Sequence, residues 1–397
     1  MRILFVADGR SPIAINWMRF FGEERYEVHL ASTFSCSPDL KLASLHLIPV
    51  AFSGIGRIKN QAESYSSISK KVPKRNDIRV MKAISVRLRT AIRQWLGLLT
   101  LPRAVKQLDR VIKEVQPDLI HAMRIPYEGM LAANIESKKP LLISVWGNDF
   151  TLHARSTPWM ANLSRLAVKR ADGLHTDCRR DLHLAQAWGF SSNKASIVLP
   201  GGGGVQRNLF YPSKMPPEDP LVVNPRSIRA YVRNDTFFRS IPYILERLPG
   251  ARFLCPAMAD EPMAQNWVNE LNLAAQVELL PQLTRTQMAD LFRQALVSIS
   301  PSIHDGTPNT LLEAMACGCF PVAGDLESLR EWITPGVNGL LFDPNDPHAL
   351  SEAVLLALEH PALREIARNI NLHLIAESAE YRQVMEKAEE FYKLLES

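Results

Sequence analysis

The chain alternates short apolar runs with amphipathic segments, and it does so twice, once in each half. The runs predicted as strands in the first half are Ile3–Ala7, Val28–Ala31, Leu119–His121, Leu141–Val145, Gly173–Thr176 and Ala195–Leu199. Those in the second half are Leu221–Asn224, Arg252–Cys255, Val277–Leu280, Val297–Ser300, Phe320–Ala323 and Leu340–Phe342. The predicted helices between them include residues 13–21, 103–115, 127–135, 235–247 and 309–317. Strands that alternate with helices indicate βαβ units and a parallel sheet in each half.

A stretch rich in glycine and proline separates the two halves. Residues 200–204 read Pro-Gly-Gly-Gly-Gly, and further prolines follow at positions 212, 216, 217 and 220. Such a density marks a domain boundary or hinge, and 397 residues are too many for one ordinary core. We therefore predict an N-terminal domain over residues 1–212, a C-terminal domain over 213–375, and a helix over 376–397 that returns to the N-terminal domain.

Composition favours a soluble protein in a reducing compartment. The chain is 46% hydrophobic and 22% charged, as in ordinary globular proteins. Its five cysteines form no CxxC pair, and their odd number does not suit a disulfide framework. The first apolar run is shorter than the ~7–15 residues of a secretory signal, and no run approaches the ~18–20 residues of a spanning helix. We expect a cytoplasmic location.

Positive charge is concentrated in residues 57–110, where 14 Lys and Arg face three acidic residues. This segment either contacts an anionic membrane at the inner face of the cell membrane, or forms an ordinary helix with a solvated basic face. Nucleic acid is a poorer partner, because no recognised binding module accompanies the charge.

The segment Asp305–Glu313 has the strongest chemical signature. It follows a predicted buried strand and leads into a helix that Asn309 is expected to cap. Gly306 allows a ligand to approach the backbone closely. The amides of Asn309, Thr310 and Leu311 are predicted to form an anion site at the positive end of the helix dipole. Other predicted caps are Thr284 or Thr286, Asp346 and, at a helix C-terminus, Gly318.

Two carboxylates, Asp305 and Glu313, flank this anion site. Carboxylates accept hydrogen bonds from sugar hydroxyls, so one can hold a ribose and the other a hexose. The chain contains neither GxGxxG nor GxxxxGK[ST], which argues against a dinucleotide-binding or P-loop protein.

Asp305-x7-Glu313, within a segment ending Leu-Glu-Ala-Met-Ala-x-Gly-x-x-Pro-Val, resembles the signature of retaining GT-B glycosyltransferases of the family-4 type. The fold that this resemblance implies is two Rossmann-like α/β domains facing across a cleft. Further matching segments are residues 117–121, 146–149, 171–173, 329–333 and 336–344.

The resemblance also implies roles for individual residues. Asp305 would contact hydroxyls of the donor sugar, and Glu313 would bind the donor ribose. The family usually has Glu where this chain has Asp305, whose side chain is one methylene shorter, so the resemblance does not indicate which sugar the donor carries. The residues expected to cover the sugar and phosphates, or to lie near the donor, are Gly306, Thr307, Asn309, Thr310 and Glu331.

Family members also place an arginine and a lysine near the start of the second domain, around the diphosphate. Arg226 matches the arginine. The lysine is missing, and Arg229 or, less well, Arg233 would replace it. Fixed cations that face a leaving diphosphate stabilise its developing charge. Because these arginines take that role and no DxD-type acidic pair is present, we expect neither a metal nor a cofactor.

Residues in the N-terminal half are candidates for the acceptor side. They are Gly9, Arg10, His121, Trp146 and Asp149. Many relatives have a histidine where this chain has Trp146, and an indole can pack on a sugar but cannot shuttle a proton. His121 can equally be a structural histidine, and Gly9 can simply serve a tight turn.

The sequence therefore predicts a retaining, metal-independent glycosyltransferase that uses a nucleotide-diphosphate sugar and a sugar or lipid-linked acceptor. Synthesis of cell-surface polysaccharide or glycolipid is the expected setting. One alternative is a GT-B phosphorylase or epimerase. Another is a catalytically weak membrane-surface protein that keeps only the fold, which Trp146 and the missing lysine would favour.

Overall fold

The structure, a computed structural model, describes residues 1–24, 26–51, 95, 97–215 and 217–396. Most of the basic segment 57–110 lies outside the described residues, so its proposed membrane contact stays a prediction. Within the described part, no helix combines the length and apolar character needed to span a bilayer.

The chain forms two compact units. The first contains Met1–Thr176, Leu182–Ile197 and Glu389–Ser397, and the second contains Asp177–Asp181 and Val198–Ala388. Residues 198–212 and 376–388, which the sequence analysis placed outside the second domain, thus belong to the second unit.

The first unit contains a seven-stranded sheet with the order β3-β2-β1-β4-β5-β6-β7. Its strands are β1 (Arg2–Ala7), β2 (Glu27–Ser32), β3 (Ser44–Leu47), β4 (Leu119–Ala122), β5 (Leu141–Val145), β6 (Gly173–Thr176) and β7 (Ala195–Val198). Strands β1 to β6 pair in parallel. The edge strand β3 was not predicted, because its leucines, Leu45 and Leu47, remain 45% and 43% exposed and alternate with polar residues.

The second unit contains a six-stranded sheet with the order β10-β9-β8-β11-β12-β13. Its strands are β8 (Leu221–Val223), β9 (Arg252–Cys255), β10 (Val277–Leu279), β11 (Val297–Ser300), β12 (Phe320–Gly324) and β13 (Leu340–Phe342), all paired in parallel. The prediction of a parallel sheet in each half is confirmed.

The described α-helices lie between the strands and after the last one. They are α1 (Pro12–Glu23), α2 (Leu101–Val115), α3 (Met130–Ala133), α4 (Pro158–Arg170), α5 (Arg179–Ala187), α6 (Asn234–Arg247), α7 (Pro262–Glu270), α8 (Arg285–Gln294), α9 (Asn309–Ala316), α10 (Pro347–Glu359), α11 (Pro361–Ser378) and α12 (Tyr381–Glu396). The helix predicted over 127–135 is shorter, because Tyr127 has a positive φ of 66° and a non-helical backbone.

Capping residues explain several helix ends. Thr284 forms a capping box with Gln287 at the start of α8, and Asp346 caps α10 through the amides of residues 348 and 349. Gly318, with φ of 89°, follows the end of α9 as predicted. The prediction that Asn309 caps α9 is wrong: Pro308 occupies the cap position, and Asn309 is the first helical residue.

The strand order of each sheet reverses direction at one point. In the first sheet this point lies between β1 and β4, and in the second between β8 and β11. Loops that leave the carboxyl ends of the strands diverge at such a point and leave a crevice where ligands bind. A ligand site is therefore expected among the residues after β1 and β4, and among those after β8 and β11.

Candidate active site

Arg226 and Asp305 meet at the crevice of the second sheet. Arg226 follows β8 and Asp305 follows β11, and these strands are neighbours. Arg226 Nη2 donates to Asp305 Oδ2 at 2.6 Å, and the two side chains are 12% and 17% exposed. Within the described residues the guanidinium makes no other hydrogen bond, so it retains donors for an anionic ligand.

The two other candidate arginines are held elsewhere. Arg229 is exposed and donates to the hydroxyl of Tyr231 at 2.7 Å. Arg233 pairs with both carboxylate oxygens of Asp235 at 2.8 Å, and this pairing raises the pKa of Arg233. Neither contacts Asp305, so of the three candidate arginines the structure brings only Arg226 to its carboxylate.

The Asp305–Thr307 loop is fixed by the segment Asp177–Asp181, which the sequence analysis did not single out. Thr307 donates to Asp177 twice, from its amide to Oδ2 at 3.3 Å and from its hydroxyl to the backbone oxygen at 2.5 Å. Arg180 Nη1 donates to the backbone oxygen of Asp305 at 2.7 Å. Burial, followed by the charge of Asp181, raises the pKa of Asp177 well above its ordinary value. The only signal in the sequence was a charged cluster after the end of β6.

The same segment contains a cluster with metal-ligand chemistry. Asp177, Cys178 and Asp181 are buried, and their ligand atoms lie within 4.8 Å of one another. Arg180 donates to Asp181 Oδ1 from Nε at 2.9 Å and from Nη2 at 2.7 Å. A guanidinium therefore already pairs with Asp181, one of the two carboxylates of this cluster.

The start of α9 offers a smaller anion site than predicted. The Leu311 amide is already used, because it donates to the Pro308 oxygen at 3.0 Å. The amides of Asn309 and Thr310 have no acceptor among the described residues, and neither has the buried Thr310 hydroxyl. Two amides and one hydroxyl are thus available at the positive end of this helix.

The glycine run packs against the start of α9. A Cβ atom on Gly202 would lie 2.5 Å from the Asn309 side-chain nitrogen, and Gly203 and Gly204 have positive φ values of 81° and 89°. Residues 202–204 thus need glycine both for close packing and for their backbone conformation.

Glu313 lies one turn into α9 with its side chain 15% exposed. Its Oε1 is 3.5 Å from Nη2 of Arg285. The sequence analysis missed Arg285 because this residue begins a different helix, α8. Burial raises the pKa of Glu313 to about 7, and the Arg285 charge opposes this shift. Arg285 in turn donates to Gln206 at 3.1 Å, which orients it.

If Glu313 binds the donor ribose, as the family resemblance implies, donor binding should depend on pH. A carboxylate accepts hydrogen bonds from both ribose hydroxyls most effectively when ionised, and with a pKa near 7 it is mostly protonated at pH 6. The dissociation constant of a nucleotide-sugar should therefore fall about tenfold between about pH 6 and pH 8 and then level off. Calorimetric titration measures it.

Glu313→Gln is the control, because the amide does not titrate and should remove most of this pH dependence. The ligand should be a nucleotide-sugar, since the terminal phosphate of a nucleoside diphosphate titrates itself, with a second pKa of about 6. An unchanged pH dependence in Glu313→Gln would assign the titration to another group.

Glu331 has a structural partner. Its two carboxylate oxygens accept from the amides of Arg179, at 2.9 Å, and Arg180, at 3.1 Å, at the start of α5. An acidic group at a helix N-terminus is favoured by the helix dipole. The predicted contact of Glu331 with the donor stays a prediction.

The crevice of the first sheet holds a pocket of about 420 Å³, here called the first-unit pocket. Asp8 follows β1, and Met123 and Arg124 follow β4; all three line it. Trp146 and Phe34 contribute aromatic surface. An apolar, aromatic pocket with a few polar groups suits a small ligand such as a sugar.

Asp149 holds residues that line this pocket in place and is itself too buried to face a ligand. It is fully buried, and its carboxylate accepts from Arg124 Nη2 at 2.8 Å and from the amides of Ile125 and Trp146 at 3.1 and 3.2 Å. The Arg124 guanidinium also lies over the Trp146 ring, 5.4 Å from its centroid. Asp149 thus fixes two pocket-lining residues.

Of the remaining first-half candidates, His121 lies in the core. It is fully buried between Ser144, 2.7 Å from Nε2, and the Tyr392 hydroxyl beside Nδ1. Burial holds its pKa well below the ordinary value, so it is neutral at pH 7. The structure therefore supports a structural role for His121 and not a role in contacting an acceptor.

Gly9 and Arg10 shape the loop after β1. A Cβ atom on Gly9 would lie 2.4 Å from the sulfur of Cys36, so only glycine fits this turn. Arg10 donates to both carboxylate oxygens of Asp8, at 2.9 and 2.8 Å, and its guanidinium lies 3.7 Å from the centroid of the Phe34 ring. Arg10 therefore positions two residues of the first-unit pocket.

Trp146→Phe is expected to raise the KM for an acceptor about fivefold without changing the KM for the donor. Trp146 lines the first-unit pocket, and the smaller phenyl ring would offer less apolar surface to a bound ligand. Loss of about 40 Å² of apolar contact costs about 1 kcal/mol. Steady-state kinetics with each substrate varied tests this, and an equal change in both KM values would show a structural effect instead.

Comparison with known proteins identifies the family. The sequence model described as Glycosyl transferases group 1 matches residues 212–371, and the one described as Glycosyl transferase 4-like matches residues 64–177. The D-inositol 3-phosphate glycosyltransferase of Thermobifida fusca is 23% identical over 209 residues, 48% of each chain. The O-antigen chain mannosyltransferase B of Escherichia coli is 39% identical over 77 residues, 19% of this chain and 20% of the relative. The chain thus spans about half the length, or less, of these curated relatives.

Solved structures share the fold over the whole chain. Sucrose-phosphate synthase from Thermosynechococcus elongatus has a TM-score of 0.74 at 15% identity, covering 100% of this chain and 99% of its own. Anabaena Alr3699/HepE, solved in complex with UDP-glucose, has a TM-score of 0.69 at 14% identity and 99% coverage of both chains. These are GT-B glycosyltransferases, and the likeness confirms the predicted GT-B fold. Both halves of the chain thus match glycosyltransferase families, group 1 in the second half and glycosyltransferase 4-like in the first.

Proposed function

We propose that this protein is a retaining glycosyltransferase that binds a nucleotide-diphosphate sugar in its second unit and an acceptor in the first-unit pocket. The observation that carries the donor assignment is the Arg226–Asp305 pair at the crevice of the second sheet, with Glu313 and the amides of Asn309 and Thr310 on the helix that follows. Together they offer a cation and amides for phosphate and carboxylates for sugar hydroxyls.

In the proposed reaction, the bond between the sugar C1 and the leaving phosphate oxygen breaks, and a bond from C1 to the acceptor oxygen forms on the same face. The acceptor proton passes to the leaving phosphate oxygen, so no side-chain base is required. Arg226 stabilises the charge that develops on the diphosphate. Because this guanidinium supplies the positive charge, the proposed reaction uses neither a metal nor a cofactor.

A uridine nucleotide is the first donor to test, because the similar Anabaena structures were solved with UDP and UDP-glucose. The names of the relatives, a D-inositol 3-phosphate glycosyltransferase and an O-antigen mannosyltransferase, suggest a polyol or sugar-chain acceptor. We place the protein in the cytoplasm, at the inner face of the membrane, in polysaccharide or glycolipid synthesis.

Product analysis tests the reaction. With an α-configured donor, NMR of the product should show an α-linkage, and excess chelator should leave the rate unchanged. A β-linked product would overturn retention, and loss of activity that Mg²⁺ restores would overturn metal independence. A requirement for inorganic phosphate would identify a phosphorylase, and conversion of the donor sugar without an acceptor would identify an epimerase.

Flotation with anionic vesicles, run beside a donor-turnover assay, separates the enzyme from a membrane-binding protein without activity. Turnover supports the proposed activity, and flotation supports the proposed place at the membrane. Flotation with no turnover of any nucleotide-sugar would favour the alternative, a membrane-binding protein that has the GT-B fold but no activity.

A further inference from the structure

A second cavity, of about 500 Å³, lies in the second unit at the amino ends of β11 and β12. Ala295 and Leu296 come just before β11, Cys317 and Gly318 come just before β12, and all four line the cavity. The Asp305–Thr307 loop instead follows the carboxyl end of β11. The cavity and the candidate donor site therefore lie at opposite ends of the strands of one sheet.

Arg364 and Arg368 line this cavity from consecutive turns of α11. Arg364 Nη1 donates to the carbonyl oxygens of Ala357 and Leu358 at 2.6 and 2.7 Å, and Arg368 Nη2 donates to that of Ser213 at 2.9 Å. Neither guanidinium forms an ion pair within the described part of the chain. Carbonyl groups orient the two cations without neutralising them, and burial lowers the pKa of Arg364.

Carboxylates lie at the exposed side of the cavity. Glu218 and Glu365 are both exposed lining residues, and neither pairs with the arginines. They would repel an anionic membrane, but they can accept hydrogen bonds from hydroxyl groups. The lining thus combines two unneutralised cations with apolar contacts and exposed acceptors.

We propose that this cavity binds a soluble phosphorylated sugar or polyol, with the phosphate on Arg364 and Arg368 and the hydroxyls toward Glu218 and Glu365. Guanidinium groups bind phosphate through paired, charge-assisted hydrogen bonds. The N-terminal turn of α11, where Pro361 also lines the cavity, adds the positive end of an 18-residue helix. This site is independent of the proposed donor site.

Calorimetric titration with glucose 6-phosphate, in saturating UDP so that the donor site is occupied, tests the proposal. Saturable binding is expected, and Arg368→Gln should weaken it at least about tenfold, with a smaller loss in Arg368→Lys, which keeps the charge but loses the paired donors. Arg368 is the better target because Arg364 also supports the end of α10. Glu365→Gln changes an exposed residue and should leave the fold intact. It should weaken the binding of glucose 6-phosphate more than the binding of inorganic phosphate.

Three results would overturn the proposal. One is no saturable binding of glucose 6-phosphate. Another is binding that Arg226→Ala removes and Arg368→Gln does not, since this would assign it to the donor site. The third is binding to phosphatidate-containing vesicles with none to glucose 6-phosphate, which would make the ligand a lipid headgroup.

Discussion

Arg226→Ala is expected to lower kcat/KM for the nucleotide-sugar by about 10²–10³, the usual cost of removing a fixed donor that meets developing charge. Arg226 is the one candidate arginine that contacts Asp305, and it is held in place at 2.6 Å. Arg226→Lys should retain the charge but lose the planar fork of donors, so an intermediate loss is expected. Steady-state kinetics and circular dichroism, run together, separate catalysis from folding.

Arg247→Ala is the matched control. Arg247 is half exposed and pairs with Glu359 at the far end of α6, so its loss should leave kcat/KM unchanged. Arg229→Ala is informative as well, because the sequence analysis gave Arg229 a catalytic role whereas the structure pairs it with Tyr231. If Arg229→Ala impairs turnover more than Arg226→Ala does, the assignment of the diphosphate to Arg226 is wrong.

Gly306→Ala should weaken donor binding strongly and destabilise the protein by about 1–3 kcal/mol, the usual cost of overpacking. The added methyl group would lie 2.3 Å from both carboxylate oxygens of Asp177. That carboxylate cannot swing away easily, because Asp177 is buried and bonded to Thr307. The loop must therefore move, and the backbone that is proposed to cover the donor moves with it. Calorimetry with the nucleotide-sugar and thermal unfolding measure the two effects.

Gly250→Ala provides the control, since a methyl group there meets nothing within 4 Å. A double-mutant cycle with Asp177→Ala tests the cause. If the clash is responsible, the double variant should be less impaired than the sum of the two single variants. Additive losses, or a Gly306→Ala protein with unchanged donor affinity, would contradict the account of this loop.

Much of the fold could be predicted because most of its described strands are buried on both faces. Such strands appear as continuous apolar runs, and those of the second sheet were found with small errors at their ends. The strand that was missed, β3, lies at a sheet edge, where Leu45 and Leu47 alternate with polar residues in a four-residue run. Local patterns carry little signal for such a strand.

The contact between Arg226 and Asp305 could also be anticipated, although 79 residues separate them. Both follow strands whose carboxyl ends meet at the point where the strand order reverses, and the family signature marks Asp305. The hydrogen bonds between Thr307 and Asp177 could not be anticipated, because these residues are 130 positions apart in the sequence and no motif links them. The same holds for the Tyr392 hydroxyl beside His121, which returns from the last helix, 271 residues later.

The most direct measurement is a crystal structure with a bound nucleotide-sugar such as UDP-glucose. We predict ribose hydroxyls about 2.6–3.2 Å from the Glu313 carboxylate, with the diphosphate against Arg226 and the amides of Asn309 and Thr310. A donor bound away from these groups, or a crevice that stays empty at saturating concentration, would contradict the account.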